Sequence, residues 1–139
     1  MICVLDCSYA LAMLLPDEAA LPTAREVLAM DLIAPWLWAT EIASAALRAE
    51  RRKRFADADA HKICVAADAL GVRIEAPGAP LAPSLPSARL KLALAHQLTP
   101  YDAAYIELAL AQGAALASQD ARMIAAAERV GLTFTPDYC

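Results

Sequence analysis

Histidine is scarce in this 139-residue chain, and cysteine is scattered along it. There are two histidines, and the four cysteines form no C-x-x-C pair. These counts argue against a zinc site and against Ser-His-Asp or Cys-His catalysis. A P-loop and a G-x-G-x-x-G stretch are also absent from the sequence. Isolated buried thiols are therefore the interpretation that remains for the cysteines.

Long apolar runs are missing as well. Hydrophobic residues make up 60% of the chain, but no run approaches the roughly 18–20 residues that cross a bilayer. The first residues lack a basic segment and carry Asp6 among apolar neighbours, which argues against a signal peptide. We therefore predict a cytoplasmic protein that has no membrane partner and no disulfide framework.

The sequence has no overall excess of positive charge. Its formal net charge is −4, which is a poor match to a protein that simply coats nucleic acid. Basic residues are nevertheless concentrated in the segment RAERRKR at 48–54. This segment predicts either a solvated helix end or a local strip that contacts an RNA backbone.

Short β-favouring runs alternate with helical patterns along the chain. We predict strands at 2–5, 31–35, 72–77, 114–118 and 132–134. We predict helices from residue 8 to just before Pro16 and at 20–30, 36–54, 56–70, 88–97, 101–112 and 121–130. The proline-rich stretch 78–87 is predicted to be a loop inside one domain, 1–139. This alternation indicates an α/β domain with a mainly parallel sheet that helices cover on both faces.

Three acids are predicted to lie near one edge of this sheet. Asp6 and Asp120 follow the first and fourth predicted strands, and ligands of open α/β sheets bind beyond the carboxyl ends of strands. Each of these two aspartates would also suit the N-cap of the next helix. Asp102 stands three residues after Thr99 and two after Pro100, so this stretch would start a helix without any ligand.

Glu41 is the residue that separates a structural interpretation from a functional one. Its neighbours on the predicted helix are mostly apolar, and Arg48, the nearest cation on that face, is two turns away. Because an unpaired buried carboxylate is costly, either its head reaches water at the rim of the core or a metal ion compensates its charge. Carboxylates without histidine or cysteine favour Mg²⁺, for which Mn²⁺ can substitute. Ser8 and Ser118 could hold the ligands or their waters in place.

Four segments, taken together and in order, resemble a PIN domain of the VapC type of toxin ribonuclease. They are VLDCSYA (4–10), EIASAALR (41–48), LTPYDAAYIELA (98–109) and ALASQDARM (115–123). The resemblance covers nearly the whole chain, and YDAAYIELA is its most specific part. It implies a three-layer α/β/α fold and Mg²⁺-dependent endoribonuclease activity, in which a metal-activated water cleaves an RNA phosphodiester.

The resemblance also assigns site residues. It implies that the catalytic, metal-binding acids of the family fall on Asp6, Glu41, Asp102 and Asp120. Its hydroxyl positions fall on Ser8 and Ser118, where the family more often has threonine at the second. Many relatives carry another acid two residues after the fourth. This sequence has Arg122 there, so the number of metal ions, one or two, stays open.

Partners follow from the same resemblance. It implies a homodimer and a small antitoxin, a segment of which would lie in a groove over the acidic site. Trp36 and Trp38 would suit such a groove, although tryptophan more often packs in a core. Arg48, Arg51, Arg52 and Arg122 are the candidate contacts to RNA.

Two other functions remain open at this point. One is a catalytically silent PIN-fold module that binds a protein partner or RNA. The other is a phosphotransfer domain with Asp6 as nucleophile. The second is the weaker of the two, because a haloacid-dehalogenase-type site would require D-x-D where this chain has Asp6-Cys7-Ser8.

Overall fold

Four parallel strands form the centre of the molecule. The computed structural model describes residues 1–75 and 85–132. Within these ranges the strands are β1 (Ile2–Leu5), β2 (Asp31–Pro35), β3 (Arg73–Glu75) and β4 (Ala115–Ala117). Their order in the sheet is β3-β2-β1-β4, and every neighbouring pair is parallel. The predicted α/β class with a parallel sheet is therefore confirmed.

Helices connect these strands. The described ranges contain α1 (Cys7–Leu14), α2 (Ala24–Leu28), α3 (Trp38–Arg51), α4 (Ala60–Asp68), α5 (Pro86–His96), α6 (Pro100–Gln112) and α7 (Ala121–Arg129). Helix α6 packs against β1, β2 and β4, while α5 and α7 pack against α6. Helix α1 packs against α3 and α4, which also contact each other.

The sheet is buried on both of its faces. In β1, the consecutive residues Cys3, Val4 and Leu5 are all fully buried. Because successive side chains of a strand point to opposite faces, helices must cover the sheet on both sides. The three-layer arrangement follows from this burial. A smaller apolar cluster, built from Leu15, Ala46, Ala49 and Ile63, holds the end of α1 together with α3 and α4.

Several helices were predicted to be longer than they are, or to begin later than they do. Residues 20–30 contain only the short helix α2, and α3 and α4 are each shorter than predicted. Helix α5 begins at Pro86, inside the predicted loop, because proline at the first helical position has a suitable φ and needs no hydrogen-bond acceptor for its nitrogen. Helix α6 ends as expected at Gly113, which has a φ of 56°.

Parts of the predictions lie outside the described ranges. These are residues 76–84, which include most of the predicted loop and the end of the third strand, and residues 133–139, which include Cys139 and most of the predicted last strand. Leu132 itself is not in a strand. The single domain stays a prediction. Among the described helices, none has both the length and the apolar character that crossing a membrane requires.

Candidate functional site

The register of the sheet brings the ends of β1 and β4 together. Leu5 pairs with Ala117, so the residues that follow, Asp6 and Ser118, leave the sheet side by side. The backbone N–H of Asp6 continues the pairing by donating to the carbonyl oxygen of Ala117 at 3.0 Å. Two residues separated by more than a hundred positions thus meet at the carboxyl edge of the sheet, where ligands bind in such folds.

Asp6 is held by two serines. Its side chain is only 5% exposed, and its Oδ2 accepts hydrogen bonds of 2.6 Å from the hydroxyls of both Ser8 and Ser118. Asp6 occupies the N-cap position of α1, but its side chain makes no capping bond there. Helix capping therefore does not explain this aspartate. The Ser8 hydroxyl also accepts from the backbone N–H of Gln119 at 2.9 Å, which ties α1 to the end of β4.

Glu41 has a partner that the sequence analysis missed. The hydroxyl of Tyr105, a fully buried residue of α6, donates to Glu41 Oε1 at 2.6 Å. Tyr101 lies one turn earlier on the same helix. It is 62% exposed, so only Tyr105 reaches the interior. This neutral donor partly compensates the Glu41 carboxylate, and it supplies no positive charge.

Asp102 begins α6 as the sequence predicted. Thr99 is the N-cap, and its hydroxyl accepts from the backbone N–H of Asp102 at 3.2 Å. The backbone of Asp102 therefore takes part in starting the helix. Its half-buried carboxylate is not needed for that backbone bond.

Asp120 caps α7. Its Oδ1 accepts from the backbone N–H groups of Arg122 and Met123, at 2.8 Å and 3.1 Å. Within the described ranges, Oδ2 of Asp120 accepts no hydrogen bond. The cap interpretation thus holds for Asp120, whereas it fails for Asp6. One carboxylate oxygen of Asp120 stays available for a ligand.

The carboxylates interact unfavourably with one another. Burial raises the pKa of Asp6 above its ordinary value; hydrogen bonds from Ser118 and Ser8 oppose this rise, and the charge of Asp102 adds to it. Burial likewise raises the pKa of Glu41; the bond from Tyr105 opposes this, and the charges of Asp6 and Asp102 add to it. These effects mean that Asp6, Glu41 and Asp102 lie close enough to repel each other when ionised.

Asp102 connects this group to Asp120. Burial raises the pKa of Asp102, with hydrogen bonding to Thr99 opposing the rise and the charge of Asp120 adding to it. The nearby guanidinium of Arg122 lowers the same pKa.

Burial and the charges of Glu41 and Asp6 also raise the pKa of the Cys7 thiol to about 12. Cys7 is therefore a protonated, buried thiol at neutral pH and a poor nucleophile.

The acids carry the oxygen atoms that a hard cation prefers, but their side chains are too far apart to hold an ion as they stand. All four offer oxygen atoms, which Mg²⁺ and Mn²⁺ prefer, and none forms a salt bridge with a lysine or arginine of the described ranges. In those same ranges, no three histidine, cysteine, aspartate or glutamate side chains stand close enough together to hold an ion as they are. The donor types fit a divalent cation, and the metal role of each residue stays a prediction.

The predicted RNA contacts fall into two places. Arg48, Arg51 and Arg52 are exposed on the last turns of α3 and its end. Arg54, from the same basic segment, instead pairs with Asp17 and Glu18 after α1. Arg122 is separate from this strip and lies beside Asp102.

The two tryptophans differ in their surroundings. Trp38 is 6% exposed and belongs to the core, whereas Trp36 is 53% exposed. The Nε1 of Trp38 finds no hydrogen-bond partner among the residues that the structure describes. A groove lined by both indoles is therefore not what the fold forms. Of the two indoles, only that of Trp36 is largely exposed.

Comparison with known proteins identifies the fold and no more. No protein-family model matches this sequence, and no curated protein matches it significantly. Among solved structures, PAE2754 from Pyrobaculum aerophilum is similar, with a TM-score of 0.63 and 22% sequence identity. The alignment covers 89% of this chain and 78% of that chain. At this level of identity, the likeness establishes a shared fold.

Proposed function

We propose that this chain is a cytoplasmic, metal-dependent endoribonuclease of the PIN type, and the toxin of a toxin–antitoxin pair. One observation carries the proposal. Asp6, Glu41 and Asp102 are partly or fully buried, and burial raises the pKa of each of them. The charge of Asp102 further raises the pKa of Asp6 and of Glu41. No cationic side chain of the described ranges is hydrogen-bonded to any of the three. Acids that are costly to ionise yet retained together are typical of functional sites.

The residues divide the work in the following way. Asp6, Glu41 and Asp102, with the remaining oxygen of Asp120, would hold Mg²⁺ or Mn²⁺. When bound, such an ion supplies Lewis acidity and lowers the pKa of water, which is what phosphodiester hydrolysis needs. Ser8 and Ser118 fix the orientation of Asp6, and Tyr105 fixes that of Glu41.

Charge and exposure support RNA as the substrate. The exposed arginines Arg48, Arg51 and Arg52 form no ion pair with a described residue, so they are available to phosphate groups. The antitoxin and the homodimer are proposed from the resemblance of the four motifs. The exposed ring of Trp36 suits a partner helix that covers the site.

Cleavage of RNA by purified protein tests the proposal. Asp6→Asn and Asp102→Asn should abolish Mg²⁺-dependent cleavage of a mixed RNA substrate while leaving the circular dichroism spectrum unchanged. Asp57→Asn removes the same charge from an exposed residue without a described partner, and it should cleave as the parent does. A folded Asp102→Asn protein with full activity would rule out the proposed site.

A catalytically silent binding module is the second candidate. The absence of a ready three-ligand group among residues 1–75 and 85–132 favours it. This candidate predicts that the parent binds RNA or a partner protein with the same affinity in EDTA and in Mg²⁺, and that no RNA is cleaved. Metal-dependent cleavage excludes it.

A further inference from the structure

A cleft lies between Gln97, at the end of α5, and helix α7, beside the acidic residues. Its volume is about 290 Å³, and it is lined by Gln97, Ala121, Arg122, Ala125 and Arg129. This volume is near the lower limit for small-molecule sites, so the cleft suits one small group better than a large organic ligand.

The lining is cationic. Arg122 and Arg129 are two turns apart on α7, Ala125 lies between them, and Ala121 completes the lining on this helix. Among the residues that the structure describes, no acid contributes to the lining. Gln97 adds an amide, which can donate to an anion. Two guanidinium groups and an amide around a small volume are the donors that recognise phosphate.

Contacts to neighbouring elements hold the two walls of the cleft in place. Arg129 Nη2 donates to the carbonyl oxygen of His96 at 2.6 Å. The His96 ring is in turn 2.8 Å from Glu107 Oε1 on α6. A guanidinium has five N–H donors, so Arg129 retains donors for a ligand after this one bond. Gln97 follows directly at a left-handed φ of 56°, which turns the chain around the rim of the cleft.

The cleft adjoins the acidic residues. Arg122 is close enough to act electrostatically on Asp102, and Asp120 immediately precedes α7. A polyanion that places one phosphate at the acidic residues could therefore place a neighbouring phosphate in the cleft. A negatively charged strand would need such a cation here, because the acids themselves repel it.

We propose that the cleft between Gln97, Arg122 and Arg129 binds a backbone phosphate of the RNA next to the phosphodiester that is cleaved. This inference rests on the proposed ribonuclease function and gives the substrate strand a second fixed point. It also gives a function to Arg122, which stands where many members of the family that the sequence resembles carry an acid.

Metal-free binding of a fluorescein-labelled, short oligouridine tests this inference separately from cleavage. Fluorescence anisotropy is measured in EDTA over a series of salt concentrations, for the parent, Arg122→Gln and Arg129→Gln. Each variant should bind the oligonucleotide several-fold more weakly. The slope of log K against log[salt], which is negative, should become less steep by about 0.7, the value for one phosphate contact of a single strand. Arg25→Gln, which removes an exposed arginine of α2, should behave as the parent.

Two further variants and ligands distinguish the alternatives. Arg129→Lys keeps the positive charge and should keep most of the salt slope. If it loses as much as Arg129→Gln, the residue acts through its bond to His96 and the inference is wrong. Parent-like affinity and slope in both glutamine variants would also overturn it. Uridine monophosphate that binds as tightly as the oligonucleotide would assign the cleft to a free nucleotide instead.

Failure of the proposed function gives a different pattern. Weakened oligouridine binding by Arg122→Gln and Arg129→Gln, together with no RNA cleavage by the parent under any metal condition, supports the phosphate cleft and contradicts the nuclease. Cleavage by the parent with unchanged binding by both variants supports the nuclease and contradicts the cleft.

Discussion

Replacement of Tyr105 by phenylalanine tests the arrangement around Glu41. This change removes only the hydroxyl of Tyr105. The hydroxyl is fully buried and donates a hydrogen bond of 2.6 Å to Glu41 Oε1. The ring remains, so the loss of packing is small. A hydrogen bond to a charged group contributes about 1.5–3 kcal/mol, and one between neutral groups about 0.5–1.5 kcal/mol.

The expected loss depends on pH. The Tyr105 hydroxyl stabilises ionised Glu41, so its removal raises the pKa of Glu41 further in the folded state. Tyr105→Phe should therefore lower the free energy of unfolding by about 1.5–3 kcal/mol when Glu41 is ionised and by about 0.5–1.5 kcal/mol when it is protonated. The loss should grow as the pH rises through the folded pKa of Glu41, which lies above the ordinary value of 4.5.

Tyr9→Phe is a matched control. Tyr9 is also fully buried, and its hydroxyl is 2.8 Å from the neutral hydroxyl of Thr23. Its replacement should cost about 0.5–1.5 kcal/mol at every pH between acid and neutral. Urea denaturation in EDTA, followed by circular dichroism across this pH range, measures both variants. Equal, pH-independent losses for Tyr105→Phe and Tyr9→Phe would refute the charged bond to Glu41.

The remaining predictions concern the other acids and their partners. Glu41→Gln should make the metal-free protein more stable at neutral pH. The raised folded pKa means that the cost of ionising Glu41 sets in as the pH rises above 4.5 and is absent below it, so the gain in urea midpoint should vanish in acid. Ser118→Ala should destabilise by about 1–3 kcal/mol, because buried Asp6 loses a donor, whereas Ser44→Ala on the exposed side of α3 should change little. In thermal unfolding, Asp120→Asn should keep the cap of α7, while Asp120→Ala should lose about 0.5–2 kcal/mol. Equal losses for the two Asp120 variants would refute the capping role.

Local signals in the sequence were sufficient for much of the fold. The apolar run at 2–5 and the Thr99-Pro100 helix start lie where they were predicted. The stretch at 115–117 forms a strand despite its alanines. Its three consecutive residues are all buried, so both faces of this strand are covered and small apolar residues pack there. The helix limits were predicted less accurately. Alanine favours helix wherever it occurs, so the helical pattern continues into residues that in the structure form turns and caps.

The site was predictable only in part, for a physical reason. Parallel pairing places the residues that follow β1 and β4, among them Asp6 and Asp120, at one edge of the sheet. The bonds from Tyr105 to Glu41 and from Ser118 to Asp6 join residues 64 and 112 positions apart. Helical periodicity indicates that a residue such as Tyr105 is buried, but it carries no information on which distant carboxylate its hydroxyl reaches.

The cleft on α7 shows the same limit. The spacing of Arg122 and Arg129 on one helix face is visible in the sequence. Gln97 reaches the cleft only because the chain turns at a left-handed residue between α5 and α6. A glutamine with positive φ gives no local sequence signal of the kind that glycine gives.

Calorimetric titration of Mn²⁺ into the purified protein tests most directly whether these acids form a metal site. We expect the parent to bind Mn²⁺ with a stoichiometry that gives the number of ions. We also expect that Asp102→Asn loses this binding and that Asp57→Asn retains it. Absence of Mn²⁺ binding by the parent would contradict the account, and Asp102 would then serve only to begin helix α6.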